Sequence, residues 1–492
     1  MAENDFVSPL PSRQVVPEVE EKTKMVTAEE PVVASEEPEK KKGLPKFLLL
    51  IPVVIILGIV GVMVVKNLGG KTIKEGKVVL NYWGLWEDSS VMAGVIADFE
   101  AKNPGIKVNY VKNQKINYRS RLQGRLIKDP TVEEVPDVFR IHSSWMPMVI
   151  NDLAKMPGDV AKRIDVEGDF YDVYKRDLKM GGSYLALPLM YDGLSLFYNK
   201  ELTDAIATKP PRTWWDLKIT AEKLTVRSEN GAIKVAGVAM GMADNVDHWS
   251  DVVALLQRQI GADIWKKDAR NIKKVEEVLT FYTNFKTTYG VWDESFPDST
   301  TAFASGKLGF YFAPSWRVFN LEEMNPKLKY EIVTAPQLPT LENAPIDQVV
   351  PDESLTNIHW GTYWAEGVNS RSKKQAEAWK FLEFLATKEA LQKMYTAAKE
   401  MRAFGEIYPR KSMAGMISGE AKIKPFLLAA NLAQSGVMAS RTYDEGINDD
   451  LSAYFKDAIN SVVFGNTTVT KAVEGLGGGI DQIATKYKIS SQ

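Results

Sequence analysis

The sequence predicts an α/β fold, a parallel sheet with helices on both faces, carried behind a polar tail and one membrane-spanning helix. Three observations predict it. From Val78 onward, strand and helix signals alternate. Ahead of them, Phe47 to Val65 is one continuous apolar run. Ahead of that, Met1 to Gly43 is rich in Glu, Lys, Pro, Val and Ser and shows no periodicity.

Residues 1–43 bury too little apolar surface to offset chain entropy, so a disordered tail is expected. Residues 44–66 are expected to span the membrane. At a rise of ~1.5 Å per residue, about 20 residues cross a hydrocarbon core about 30 Å thick. Pro52, Gly58 and Gly61 are tolerable in such a helix. A core helix would carry a polar stripe, and none is present. A cleaved signal would end at a small-residue site, which Val64-Val65-Lys66-Asn67 does not offer. Lys40, Lys41, Lys42 and Lys46 on one flank balance Lys66, Lys71, Lys74 and Lys77 on the other, so charge alone does not orient the span. Residues 67–77, with Gly69 and Gly70, read as a short flexible tether.

The folded part follows. Val78 to Trp83 is a strand, and Ser89 and Ser90 are suited to cap a helix running to about Lys102. Asn103-Pro104-Gly105 stops that helix. Ile106 to Val111 reads as a strand, Tyr118 to Lys128 as a helix and Val138 to Ile141 as a buried strand. This βαβαβ rhythm is what implies a parallel sheet. Further on, Val275, Val278, Leu279, Tyr282 and Phe285 mark one helical face, and Ala376, Trp379, Phe381, Leu382 and Leu385 another.

Composition narrows the function. The chain has 492 residues, room for two or three domains, and a formal net charge of -2, which disfavours a nucleic-acid binder. It has no cysteine, which removes disulfides, thiolate metal sites, cysteine nucleophiles and a lipid anchor. Its three histidines are far apart, with no His-Glu-x-x-His and no Gly-x-Ser-x-Gly. No cofactor or metal is called for, and no catalytic residue is assigned. The twelve tryptophans are many, and several sit among polar residues.

Those tryptophans locate a candidate site. Trp83, Trp86, Glu87 and Asp88 follow the first strand, and His142 and Trp145 follow the third. Ligands of open α/β sheets bind at the carboxyl ends of strands. Trp214, Trp215 and Trp379 lie on apolar helical faces and read as core.

Further segments complete a pattern: Pro188 to Lys200, then Lys209-Pro210-Pro211-Arg212, then Phe303 to Phe310 running into Ala313-Pro314-Ser315-Trp316, then Gly361 to Asn369. Together these resemble the extracellular solute-binding protein family of ABC importers that includes maltose-binding protein. The resemblance covers about Val78 to Tyr487. It implies a two-lobed, periplasmic-binding-protein-like (type II) fold over 77–492. Lobe 1 is expected at about 77–190 and 365–400, and lobe 2 at about 191–364 and 401–492. It implies a ligand in the cleft, near Tyr191 and Asp192 at the lobe exchange and near Trp249, Trp316 and Trp360. The C-terminal aromatic of some relatives has Tyr443 and Tyr454 as candidates. It also implies an extracytoplasmic domain with the tail in the cytoplasm, acting as a monomer with the importer's permease subunits.

A sugar ring offers one face of C–H groups, which suits aromatic rings, and a rim of hydroxyls, which suits charged and amide side chains. The expected ligand is therefore a mono- or oligosaccharide. A polyamine or other cation held in an aromatic cage is the alternative, followed by a surface glycoside hydrolase with paired carboxylates.

Overall fold

The computed structural model describes residues 77–129, 134–338 and 354–489. The expected tail and spanning helix, and the tether up to residue 76, lie outside the described residues. Among the described residues, no helix is long and apolar enough to cross a membrane.

Two five-stranded sheets organise the chain. In the first, the strands lie in the order Ile106–Lys112, Val78–Gly84, Val138–His142, Trp364–Val368, Ala186–Pro188. The first three are parallel, as the alternation predicts; Trp364–Val368 runs antiparallel to both of its neighbours, so Ala186–Pro188 points the same way as the first three. The sheet is therefore mixed. Trp364–Val368 joins it after a long excursion through the other lobe and need not follow the βαβ crossover rule. The strand Val138–His142 is buried at every position, as a central strand should be. The helix Ser89–Lys102 begins one residue after Asp88, whose carboxylate accepts from the Ser90 amide at 3.1 Å. Asp88, rather than either serine, is the N-cap. It holds the extended backbone a cap requires, and its carboxylate takes an amide that the helix leaves unpaired.

The second sheet runs Tyr330–Thr334, Ser195–Asn199, Leu308–Ala313, Ile233–Val238, Val226–Arg227. Its strand Leu308–Ala313 is buried along its whole length. Helices Trp214–Leu224 and Ala269–Thr287 bury their apolar faces, with Trp214 fully inside. Trp379 is buried on Gln375–Leu385, and Trp215 is half-buried under the Lys218 ammonium.

A three-stranded sheet links the two. Asp192–Gly193 pairs antiparallel with His359–Thr362, which pairs parallel with Ala433–Gln434. The chain leaves the first sheet at Pro188, enters the second at Ser195, and returns through His359–Thr362 to Trp364. A Cβ on Gly193 would stand 2.5 Å from the Trp360 carbonyl oxygen, so glycine is what allows this close pairing. The result is a two-lobed α/β molecule with its crossings gathered in one place.

Candidate ligand-binding cleft

In the first lobe, three chain segments end at the same edge. Val78–Gly84 runs into Trp86, and Val138–His142 runs into Trp145. The antiparallel register sets Trp364 opposite His142. Trp86 and Trp145 each meet Trp364 edge-to-face at 5.3 Å, and His142 meets it at 5.0 Å. This is the geometry that ring quadrupoles favour. The buried indole N–H groups of Trp86 and Trp145 have no hydrogen-bond partner. Burial holds the His142 pKa down at about 3, so the ring is neutral. Its Nδ1 accepts from the Ser144 amide at 3.2 Å, which leaves Nε2 to donate to Thr362 Oγ1 at 2.8 Å.

Charge lies beneath this edge. Arg140, on the central strand and 3% exposed, donates to Glu366 Oε1 at 2.7 and 2.5 Å and to Glu87 on its other side. Burial pushes the Glu87 pKa up, but Arg140 outweighs it and the carboxyl stays below its ordinary value. In Glu366 burial wins, and the pKa is raised. Glu87 is thus committed to Arg140. Asp88 is committed to its helix, with Lys112 at 3.6 Å. Trp83 is half-buried, and its carbonyl takes the Tyr118 hydroxyl at 3.2 Å.

In the second lobe the ion pairs adjoin Trp316; Asp247 and Arg317 are nearly buried and Arg441 is exposed. Leu308–Ala313 runs into Ser315 and Trp316, and Ile233–Val238 leads on to Asp247, His248 and Trp249. Asp247 faces Arg317 at 3.0 Å, pairs with Arg441, and accepts from the Thr300 amide at 3.1 Å. Burial would raise its pKa, but these partners hold it well below the carboxylate range. His248 Nε2 accepts from Arg317 Nε at 3.0 Å, and Nδ1 lies 2.6 Å from Ser440 Oγ. Burial lowers the His248 pKa, so this ring is neutral as well. Trp316 is half-buried, with the Arg317 guanidinium 4.6 Å over its ring and His248 edge-on at 5.7 Å.

The remaining expected residues lie at the crossing. Asp192 Oδ1 accepts from the amides of Gly193 at 2.8 Å and Ser315 at 3.0 Å, tying the linking sheet to the second lobe. Burial pushes its pKa up to about 7. Tyr191 is fully buried against Tyr171. Trp360, 1% exposed, donates its indole N–H to Asp251 at 2.9 Å, and Trp249 opens the helix Trp249–Ile260 that carries Asp251.

The structure therefore brings Trp86 and Trp145 together at one edge and places Trp316 at the other. Asp192, Tyr191 and Trp360 sit at the linking sheet as buried packing contacts. Trp364, Arg317 and Asp247 are site-edge residues that the sequence does not single out. Trp364 sits beside the Gly361–Asn369 signal, but only the strand register shows which way it is placed. Of the two C-terminal candidates, Tyr443 reaches Trp86, with ring centres 6.1 Å apart. Tyr454 instead bonds Gln482 on the neighbouring helix.

This pair of sheets, with strand ends gathered around a crossing, defines a solute-binding protein fold. Residues 94–414 match the model of the bacterial extracellular solute-binding protein family, and the chain belongs to that family. A binding protein of Brucella abortus (strain 2308) is 23% identical over 376 residues, covering 71% of this chain and 85% of the relative. The multiple sugar-binding protein of Streptococcus mutans is 21% identical over 346 residues, covering 65% of this chain and 74% of its own. Among solved structures, the cyclic alpha-maltosyl-1,6-maltose binding protein of Arthrobacter globiformis superposes with a TM-score of 0.63 at 15% identity. That match covers 84% of this chain and all of the other.

Proposed function

We propose that this chain binds a carbohydrate between its two lobes and delivers it to the membrane subunits of an ABC importer. Lobe 1 comprises about 77–190 and 365–400, and lobe 2 about 191–364 and 401–492. Residues 44–66 anchor the chain in the cell membrane with the lobes on the extracytoplasmic side. The observation that carries the reading is the edge formed by the half-buried Trp86 and Trp364, which meet edge-to-face, with Trp364 also edge-to-face on the fully buried Trp145. Aromatic faces suit the C–H side of a sugar. The Streptococcus and Arthrobacter relatives, whose names state sugar ligands, support the same class.

The acids favour a neutral ligand over a cation. Glu87 is neutralised by Arg140, and Asp247 by Arg317 and Arg441. A cation cage needs a carboxylate with charge to spare. No covalent step is required: lobes closing around the ligand shift the population toward the form the permease recognises.

A thermal-shift titration of the protein against oligosaccharides, amines and amino acids tests this. A ligand that binds only the folded state raises Tm with its concentration. A rise with a carbohydrate class is expected. A rise with amines alone would replace the proposal with the cation reading.

A further inference from the structure

Residues 439–446 connect the linking sheet to the helix Ile447–Val463 of the second lobe, and their backbone is unusual. Three non-glycine residues at alternating positions lie in the left-handed region: Arg441 at φ 57°, Tyr443 at 54° and Glu445 at 46°. Side chains disfavour that region, and such residues persist only where their surroundings over-determine them. Here the surroundings do so. The even positions Thr442, Asp444 and Gly446 are buried. Asp444 accepts from the amides of Gly446 at 3.1 Å and Asn448 at 2.9 Å. Asn448 takes the Ala439 amide at 2.7 Å and donates to the Ala439 carbonyl at 2.5 Å and to Thr442 Oγ1 at 2.6 Å. This knot at the root of the helix imposes the strained alternation.

The alternation turns the odd residues toward partners in both lobes. Arg441 pairs with Asp247 of the second lobe, and Ser440 takes Asp251 with its amide at 3.1 Å. The next odd residues, Tyr443 and Glu445, and the Asp444 carbonyl meet the first lobe. Lys115 stands 4.7 Å over the Tyr443 ring and 3.1 Å from its hydroxyl. The Asn117 amide donates to Glu445 Oε1 at 3.0 Å. Arg119 donates to the Asp444 carbonyl and, at 3.1 Å, to the Glu445 carbonyl. Chain reach is at most ~3.6 Å per residue, so the three steps from Ser440 to Tyr443 bridge a gap of at most about 11 Å.

We infer that residues 439–446 are a latch that holds the two lobes together before ligand arrives, with Arg119 as its catch. Opening the cleft separates Arg119, Lys115 and Asn117 from the strand they grip. The closed arrangement is therefore populated without ligand, and Tyr443 rests on Trp86 until a ligand displaces it. A ligand then gains affinity from closure already made and loses some by having to release the latch; the balance sets its apparent affinity. That last part rests on the carbohydrate-cleft reading. The closure itself does not.

The test reads lobe separation directly. The chain has no cysteine, so Lys162→Cys on the first lobe and Lys273→Cys on the second, both exposed, accept spin labels uniquely in the full-length protein. Pulsed dipolar spectroscopy without ligand should give one short distance in the parent chain. With Arg119→Ala it should give a broader, longer distribution, shifted by the span of one to two residues, about 3–7 Å. An unchanged distribution in folded Arg119→Ala overturns the latch. Should Arg119→Ala fail to fold, the exposed Lys115→Ala decides, by a smaller shift in the same direction or by none. Addition of maltotetraose then separates the two readings. Opening by Arg119→Ala without any response to the oligosaccharide keeps the latch and counts against a maltodextrin ligand.

Discussion

The two edges of the cleft handle charge differently. The first lobe hides it: Glu87, Arg140 and Glu366 are all less than a tenth exposed and lie behind a surface of tryptophan. The second lobe buries Asp247 and Arg317 nearly as deeply, with side chains 6% and 9% exposed, but leaves their partner Arg441 open at 39%, and Arg317 lies over the half-buried Trp316. A buried ion network costs desolvation and adds little net stability, but breaking it is expensive. In the second network only Arg441, of the three, stays open to solvent. The difference is one of degree: the first lobe encloses every charge behind the half-buried Trp86 and Trp364, and the second leaves one arginine exposed.

The largest expected effect breaks the hidden network. Arg140→Met leaves Glu87 and Glu366 facing each other without a cation, and should lower unfolding free energy by about 3–5 kcal/mol in chemical denaturation. A loss under 1 kcal/mol would mean that the triad is not what supports the aromatic edge. Next is the edge itself. Trp86→Ala should weaken ligand binding by about 1.5–3 kcal/mol, roughly 10- to 150-fold, measured by calorimetry. Its melting temperature should fall far less than that of Arg140→Met, because Trp86 is only half-buried.

A pH series sharpens the comparison at the crossing. Burial raises the Asp192 pKa to about 7, so the folded state holds a proton that the unfolded chain has already released. Its contribution is therefore complete below the ordinary carboxylate value and is lost as pH rises toward 7. Asp192→Asn should gain stability over the parent across that window, with a level difference above it. A gap that grows at acid pH instead would contradict the assignment. The smallest effect is expected from Asp88→Ala, which removes a helix cap: a slight drop in Tm, with ligand affinity unchanged.

Much of the fold was legible because its signals are local. The strands read at 78–83, 106–111 and 138–141 and the helix stop at Asn103 follow from residue pattern alone, and the structure places them there with each strand one residue longer. The antiparallel return of Trp364–Val368 was not legible, since register is set by partners more than 200 residues away. The site divides the same way. Clusters of tryptophan after strands pointed to the edges where the structure places Trp86, Trp145 and Trp316. Nothing local tells that Glu87 is neutralised by an arginine 53 residues on, or that Asp88 serves its own helix. Nor does the pattern of residues 439–446 reveal three left-handed positions, because a buried asparagine and aspartate impose them.

The central claim is that the tryptophan edge stacks on a carbohydrate, and the most direct measurement is calorimetric titration of the protein with a panel of oligosaccharides and polyamines. The account predicts saturable binding of one carbohydrate class, abolished or strongly weakened in Trp86→Ala. Binding of polyamines with no carbohydrate response, or carbohydrate binding indifferent to Trp86, would contradict it.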